Sequence, residues 1–514
     1  MKSRDGKKLG PGRALTAILA LGLGLGLNLG LNLAGASPAA AQAAKNVILV
    51  IGDGMNLEHE QAGSNYLYGR DNALTFQNLA YQGLAATWDV SAYNAYASDP
   101  QLGLGWGKYS ADNFNPLVGY NPTWGGYGPT PTYSQPEMAD TYYLKNLLGA
   151  KPAATDSASA ATAMYTGQKT DDGNIAWATG DPAGGALETI AEKMRNEKGA
   201  AIGVASTVEF NHATPAAMVS HNVNRNNYSP DKNQGTGVMS IAEEIVEVTQ
   251  PDVVIGAGHP DYSPGYLNDA LIADIKDNYV YVERQSGVDG GDSLMAAASQ
   301  AAATGSKLWG LYGGAGGNFE YNYAVSSPGN PTIVRGSEEN PTFADLATAG
   351  LEVLSQDPDG FMYMIEQGDL DWANHANDWN NMVGCVWDLD QGVQAVIDYV
   401  NQGGDDVTWD NTLMIVTSDH SNSYLKRQSV LGQGEVVNRT LAGTSAYGDP
   451  IWAYDASQVT YGTGEHTNEP VSVYAMGAGS ELFASYEGQW YGGNLIDNTN
   501  IFDVMQTAAG VSGN

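Results

Sequence analysis

Four separated stretches of the chain carry clustered carboxylates and imidazoles, and a fifth carries a serine placed to become reactive. The first is Gly52-Asp53-Gly54, which ends an apolar run over 46–51. The second runs Glu366-Gln367-Gly368-Asp369-Leu370-Asp371-Trp372-Ala373-Asn374-His375. Its Asp371 and His375 are four apart, a spacing that faces both toward the same ion if the segment is helical. The third is Thr417-Ser418-Asp419-His420 and the fourth Gly464-Glu465-His466-Thr467. Mixed His and Asp donors suit zinc, while Glu, Asp and Thr oxygens suit magnesium. The fifth stretch, Thr155-Asp156-Ser157-Ala158-Ser159-Ala160-Ala161-Thr162-Ala163, is polar at its start and alanine-rich after it. Ser157 thus falls where a helix begins. Unpaired amides and the positive end of the helix dipole there favour an anionic serine oxygen, or a phosphate attached to it.

Taken singly, each stretch has an ordinary structural explanation. Asp-Gly is a common turn, an Asp–His pair at helical spacing is often a surface ion pair, and Asp-His after a strand can be a helix cap. Asp156 and Ser157 can equally be a routine N-cap. The combination of five is much harder to explain that way.

The elements that must position these residues follow from periodicity. Strands are expected over 46–51, 200–206, 252–256, 307–312, 361–366, 412–417 and 470–476. Helices are expected over 73–83, 184–198, 239–248, 293–303, 343–355, 381–400 and 501–509. Strands alternating with helices predict an α/β fold: a doubly wound, largely parallel central sheet with helices on both faces. Asp53, Glu366 and Asp419 then sit at C-terminal strand ends, where such sheets build their sites. The three-glycine dinucleotide fingerprint is absent after the first strand, so a nicotinamide-type site is not supported. Residues 88–150 and 425–464 read as irregular insertions, and residues 44–514 as one elaborated domain.

The formal charge is −34, and hydrophobic residues make up 43%, ample for a large core. Residues 1–43 place Lys2, Arg4, Lys7, Lys8 and Arg13 before a Gly/Leu-rich apolar run and the small-residue site Ala41-Gln42-Ala43. That order reads as an export signal, with a mature chain starting near Ala44 and no stable membrane anchor. Without the segment, 18 basic residues face 56 acidic ones, a net charge near −38. Such a surface argues against nucleic-acid binding and repels anionic substrates at long range, so any phosphate site needs strong local positive charge. The single cysteine, Cys385, cannot form an intramolecular disulfide and reads as a small buried hydrophobe.

The motifs together resemble the alkaline phosphatase family. Matching parts are the Asp-Gly-Met turn at 53–55, Thr-Asp-Ser-Ala at 155–158, Ala-Thr-Pro-Ala-Ala at 213–217, Glu366 with Asp371 and His375, Asp419-His420, and Glu465-His466-Thr467. They occur in the family's order across most of the mature chain. The resemblance implies an exported, periplasmic or extracellular phosphomonoesterase acting on small phosphate monoesters, with two Zn2+ and one Mg2+ as cofactors. It makes Ser157 the nucleophile that becomes a phosphoserine. Asp371, His375 and His466 would hold one zinc, and Asp53, Asp419 and His420 the other. Asp53 would also reach the magnesium-type site with Glu366 and Thr214. Arg225 matches the arginine that binds the phosphate, and Asp156 neighbours it. The family is commonly dimeric, so a homodimer is expected.

Two positions depart from the family's best-known pattern, which has an acidic residue where this chain has His212 and a lysine where it has Trp372. Both are assigned to the surroundings of the third cation and the phosphate. His59, His221 and His259 receive no functional role. The competing readings are a phosphodiesterase of the same metal-hydrolase superfamily and a non-catalytic acidic ion-binding protein. A sulfatase is disfavoured, since neither Cys385 nor Ser157 lies in a Cys/Ser-x-Pro-x-Arg setting.

Overall fold

A continuous apolar run makes a stable strand only when both of its faces are covered. The computed structural model describes residues 43–100, 102, 105–126, 137–232, 235–320, 323–325, 331–403, 406–444 and 450–513. The expected export signal therefore lies outside the described residues, apart from its last position. Strand β1, Asn46–Gly52, is buried at every residue. Its Val47, Leu49 and Ile51 enter one apolar cluster, and Ile48 and Val50 enter another. Alternate side chains thus meet layers on opposite faces of one sheet, each burial contributing roughly 1.5–3 kcal/mol.

Among the described residues that sheet has ten strands: β1, β2 (Tyr81–Ala86), β3 (Ala201–Glu209), β4 (Val253–Ala257), β5 (Tyr279–Glu283), β6 (Lys307–Leu311), β7 (Phe361–Gln367), β8 (Thr412–Thr417), β9 (Val471–Gly477) and β10 (Leu495–Asp497). Their spatial order is β10-β2-β9-β8-β1-β7-β3-β4-β6-β5. Among the described strands of this sheet, β9 alone runs against its neighbours. The helices used below are α1 (Leu57–Tyr68), α2 (Ser157–Thr166), α3 (Ile190–Lys198), α4 (Ala213–Val219), α5 (Gly290–Thr304), α6 (Phe343–Leu354), α7 (Asp369–His375), α8 (Trp379–Gln402) and α9 (Thr499–Ala509). Apolar residues of α1, α5, α6 and α8 form the cluster on one face, and those of α2, α3, α4 and α9 the cluster on the other. This is the doubly wound, largely parallel arrangement expected from the alternation. Gln42–Asn514 form one compact unit, and among the described residues no helix is long and apolar enough to cross a membrane.

Register aligns the site. Ile51 of β1 lies beside Glu366 of β7 and Thr417 of β8, and Ser206 of β3 lies on the other side of Glu366. Four parallel strands, β8-β1-β7-β3, therefore end side by side. Their C-terminal ends and the loops leaving them carry Asp53, Glu366, Asp419, His420 and the 210–214 segment.

Several local expectations differ from the observed elements. Residues 73–83 do not form a helix: one 3-10 turn, Phe76–Asn78, leads into β2. The amides of Thr75 and Phe76 donate to the Asp390 carboxylate on α8 instead of to a helical ladder. The helix expected from 184 starts at Ile190, where Thr189 and Glu192 make a capping box. That expected over 239–248 starts at Ile241 and loosens into a π turn, Glu244–Thr249. Residues 88–150 are less irregular than their composition suggests. They contain Val90–Ser98, two short Pro-initiated turns and Glu137–Leu144. Trp88, Tyr93, Tyr96, Tyr120, Tyr142 and Tyr143 bury together there in a third, aromatic cluster. Residues 425–464 contain two antiparallel ribbons, Leu425–Arg427 with Val459–Tyr461 and Arg439–Thr444 with Pro450–Tyr454. Cys385 is buried in α8, as expected.

Candidate active site

Ser157 is the first residue of α2. The preceding Asp156 caps that helix by accepting from the Ser159 amide at 2.9 Å, and Gly167 closes it in the left-handed region. The cap anticipated from sequence is therefore present, and it leaves the Ser157 hydroxyl free to point elsewhere. Ser157 Oγ lies 3.1 Å from His420 Nε2. The same nitrogen is 3.3 Å from Asp53 Oδ1 and 3.2 Å from Asp419 Oδ2. All four side chains are buried. Asp419 is fixed through its other oxygen, which accepts from the amides of Gly54 and His420. Gly54 has φ +66°, and a Cβ there would stand 2.8 Å from Asp371 Oδ1. Only glycine fits this turn without disturbing the next group of donors.

That next group is Asp371, His375 and His466. The carboxylate of Asp371 lies 3.3 Å from His375 Nε2 and 3.4 Å from His466 Nε2, and the two Nε2 atoms are 3.2 Å apart. The far nitrogen of each ring faces a backbone carbonyl: His375 Nδ1 to Gly464 O at 2.6 Å, and His466 Nδ1 to Thr155 O at 2.9 Å. Since a carbonyl only accepts, both Nδ1 atoms carry the proton, and both Nε2 lone pairs face Asp371 and one another. Two lone pairs and a carboxylate converging on one point suit a cation. Burial lowers the His375 pKa, but Asp371 outweighs it and holds the imidazole up to about 9. Burial likewise raises Asp371, and His375 with His466 hold it net well below the usual carboxylate range. The two donor groups adjoin, because the His420 and His466 rings stack with centroids 3.6 Å apart.

A third grouping lies on the other side of Asp53. Thr214, near the start of α4, and Asp53 both neighbour the Glu366 carboxyl, which accepts from Ser206 Oγ at 2.5 Å. Burial pushes Glu366 up to about 7. Burial, then repulsion from Asp419, Asp371 and Glu366, pushes Asp53 well above its usual range. Four buried oxygens here have no hydrogen-bond partner among the described residues: Asp53 Oδ1, Asp419 Oδ2, Glu366 Oε1 and Thr214 Oγ1. Buried oxygens without partners, three of them on carboxylates that repel one another, are costly unless positive charge completes them. The donor set therefore fits bound cations. Both three-residue groups expected from sequence, Asp371–His375–His466 and Asp53–Asp419–His420, bring their ligand atoms within 4.8 Å of one another.

Arg225 reaches the same region from a loop. Its Nη1 is 2.9 Å from Asp156 Oδ2, and Nη2 is 3.2 Å from His212 Nε2. Asp156 thus does two things at once, capping α2 with one oxygen and holding the guanidinium with the other. Burial raises its pKa, but Arg225 outweighs this and keeps it well below the usual range. Burial, then Arg225, push His212 down to about 3, so it stands neutral. His212 sits against Trp372, ring centroids 6.3 Å apart. Its contact with Arg225 was not apparent from sequence.

The alkaline phosphatase family model matches residues 136–445 of this chain. The chain belongs to the alkaline phosphatase family. It is 27% identical to alkaline phosphatase 3 of Bacillus subtilis, with 90% of this chain and 89% of the relative covered. It is 26% identical to the alkaline phosphatase of Escherichia coli over 91% and 86%. It is 25% identical to streptomycin-6-phosphate phosphatase of Streptomyces griseus over 92% and 94%. Two solved structures share the fold. The alkaline phosphatase of the Antarctic bacterium TAB5 aligns with TM-score 0.54 at 19% identity, covering 92% of this chain and all of that one. That of Thermus thermophilus aligns with TM-score 0.56 at 18% identity, covering 92% of each. The protein is accordingly a metal-dependent phosphomonoesterase of this family, and the non-catalytic ion-binding reading falls.

For an alkaline phosphatase fold, several contributors here carry no side-chain signal. Thr155 and Gly464 orient imidazoles through backbone carbonyls, which any residue has. Ser206 meets Glu366 only through strand register. A third carboxylate group, Asp89, Asp156 and Asp172, also comes together. It contains no imidazole, and its countercharges are Arg225 on Asp156 and Lys151 on Asp172.

Proposed function

We propose that the chain is an exported alkaline phosphatase that hydrolyses small phosphate monoesters through a phosphoserine on Ser157, using two zinc ions and one magnesium ion. The observation that carries this reading is the placement of Ser157 Oγ, 3.1 Å from His420 in the Asp53–Asp419–His420 group, while its neighbour Asp156 holds Arg225. Asp371, His375 and His466 would hold one zinc, and Asp53, Asp419 and His420 the other. Glu366, Thr214 and Asp53 would hold magnesium, the ion reported in the M3 site of a TAB5 alkaline phosphatase variant. When bound, such ions lower the pKa of a hydroxyl nucleophile and stabilise the attacking and leaving oxygens of an in-line displacement.

The chain's own groups supply the rest. Ser157 Oγ forms the bond to phosphorus as the bond to the leaving alcohol breaks. Water then attacks the phosphoserine, releasing inorganic phosphate and returning the serine hydroxyl. Two successive inversions retain configuration at phosphorus. Arg225 binds two equatorial oxygens at once, which its planar fork does better than lysine. Asp156 keeps that fork aimed, and the α2 N-terminus favours the charge on the phosphoserine. The basic, apolar, then Ala-Gln-Ala order of residues 1–43 supports export.

Assay of a monoester and a diester with the same leaving alcohol tests the substrate class. The monoester is expected to be hydrolysed at least about a hundredfold faster in kcat/KM. Equal rates, or a preference for the diester, would overturn the reading. Trp372 also has a testable consequence. It occupies a place beside His212 where a lysine would add positive charge near Arg225. Trp372→Lys should tighten phosphate inhibition about tenfold, measured as the inhibition constant at fixed ionic strength. An unchanged constant would show that residue 372 does not set the charge felt by bound phosphate.

A further inference from the structure

Arg225 lies on a loop with no helix or strand of its own to hold it. Two backbone ties hold the loop: Asn222 exchanges both main-chain hydrogen bonds with Ile175, each 2.8 Å, and the Arg225 amide donates to Gly173 O at 2.8 Å. The loop begins at His221, whose ring is wedged between two carboxylates on different elements. His221 Nδ1 lies 2.8 Å from Glu244 Oε1, and its backbone amide donates to the other oxygen of that carboxylate at 2.9 Å. His221 Nε2 lies 3.3 Å from Glu192 Oε2 and 3.1 Å from the Leu187 carbonyl. Glu244 opens the π turn, and Glu192 sits in the capping box of α3.

Both ring nitrogens therefore face acceptors. A neutral imidazole has one N–H and leaves one of these contacts without a proton, whereas an imidazolium satisfies both. We propose that His221 is a cationic clamp, a positioning residue that sets Arg225 for phosphate by tying its loop to α3 and to the π turn. The proposal rests on the reading that Arg225 binds the phosphate. His221 touches neither phosphate nor any cation ligand, and acts only through the loop.

The charged groups facing the ring are Glu192 and Glu244. Burial opposes the charge, but these two carboxylates hold the imidazolium up to about 10, above its ordinary 6.5. Because the folded value is raised, the clamp is fully charged in the neutral range, persists through moderately alkaline pH, and is lost as pH rises through that value. An enzyme working at alkaline pH thereby keeps its phosphate-binding loop in place where a free histidine would be neutral.

The test is phosphate inhibition of metal-loaded enzyme, compared among wild type, His221→Gln, His221→Lys, Glu192→Gln and Arg225→Ala. At about pH 8, His221→Gln should weaken phosphate inhibition about tenfold with unchanged metal content and little change in kcat, and His221→Lys, which keeps the charge, should restore most of it. Near pH 11 the wild type should lose its advantage over His221→Gln. Glu192→Gln keeps the capping box and removes one charged partner, so it guards against misfolding of the His221 variants. It should weaken inhibition about threefold. An inhibition constant unchanged in His221→Gln or Glu192→Gln, or an equal loss in the Gln and Lys variants, overturns the clamp. If Arg225→Ala weakens phosphate inhibition and His221→Gln does not, the clamp alone fails. If Arg225→Ala also leaves it unchanged, the phosphate role of Arg225 fails as well.

Discussion

Ser157→Ala should lower kcat/KM toward a phosphate monoester by at least about a thousandfold while leaving the fold and the cation content intact. The change removes a single oxygen from a side chain that is 2% exposed, so little volume is lost. The α2 cap is unaffected, because it belongs to Asp156 and not to Ser157. The Asp371 and Asp53 groups each keep their three candidate protein ligands, none of which is Ser157. What disappears is the atom proposed to receive the phosphoryl group. Residual hydrolysis would come from direct attack of water on a substrate still bound by Arg225 and the cations. Steady-state kinetics with thermal melting and metal analysis checks all three parts. Activity within about tenfold of wild type would remove the nucleophile from the account.

The second large effect concerns the cations. Asp419→Asn should abolish most activity, on the order of a thousandfold, and lower zinc content, while chelation of the wild type should do the same reversibly. Asp419 is chosen because its two oxygens have separate duties. One accepts from the amides of Gly54 and His420, and the other makes no hydrogen bond and faces His420. An asparagine can keep the first contact with its carbonyl, but it then turns an amide N–H₂ toward the cation. Stability should follow. Any ion that binds only the folded state stabilises it, by about 4 kcal/mol when present at a thousand times its dissociation constant. Chelated wild type should therefore melt well below the loaded enzyme and recover on adding zinc, whereas Asp419→Asn should recover neither activity nor melting temperature. Full activity after exhaustive chelation would contradict the metal assignment.

How far the sequence anticipates this site depends on what kind of group does the work. Asp53, Asp371, His375, Asp419, His420 and His466 are evident from side-chain chemistry, because each lies beside a strand end or on one helical turn. Their grouping into two sets comes from the family resemblance, and within each set the candidate donor atoms lie within 4.8 Å of one another. The parallel sheet follows from its fully apolar strands, since only a strand covered on both faces, like β1, drops the alternation of a half-exposed one. What stays hidden is whatever depends on register or on backbone atoms. The carbonyls of Thr155 and Gly464 fix imidazole tautomers, and Ser206 supports Glu366 across a strand pair. His221 is the clearest case. It has no local motif, since Glu192 and Glu244 come from 29 residues before it and 23 after it, and only the folded chain puts them on either side of its ring. The misread helix at 73–83 has a similar origin. Its apolar spacing mimics a helix, but its amides are claimed by Asp390 on a distant helix.

Covalent trapping tests the central claim most directly. The metal-loaded enzyme is mixed with a phosphate monoester, quenched in acid within the first turnovers, digested, and mapped by mass spectrometry. The peptide containing Ser157 should carry one phosphoryl group, with Ser157 as the modified residue. The same experiment on Ser157→Ala should yield no phosphorylated peptide. A phosphoryl group found on another residue, or none on Ser157 under conditions where substrate is turned over, would contradict the mechanism proposed here.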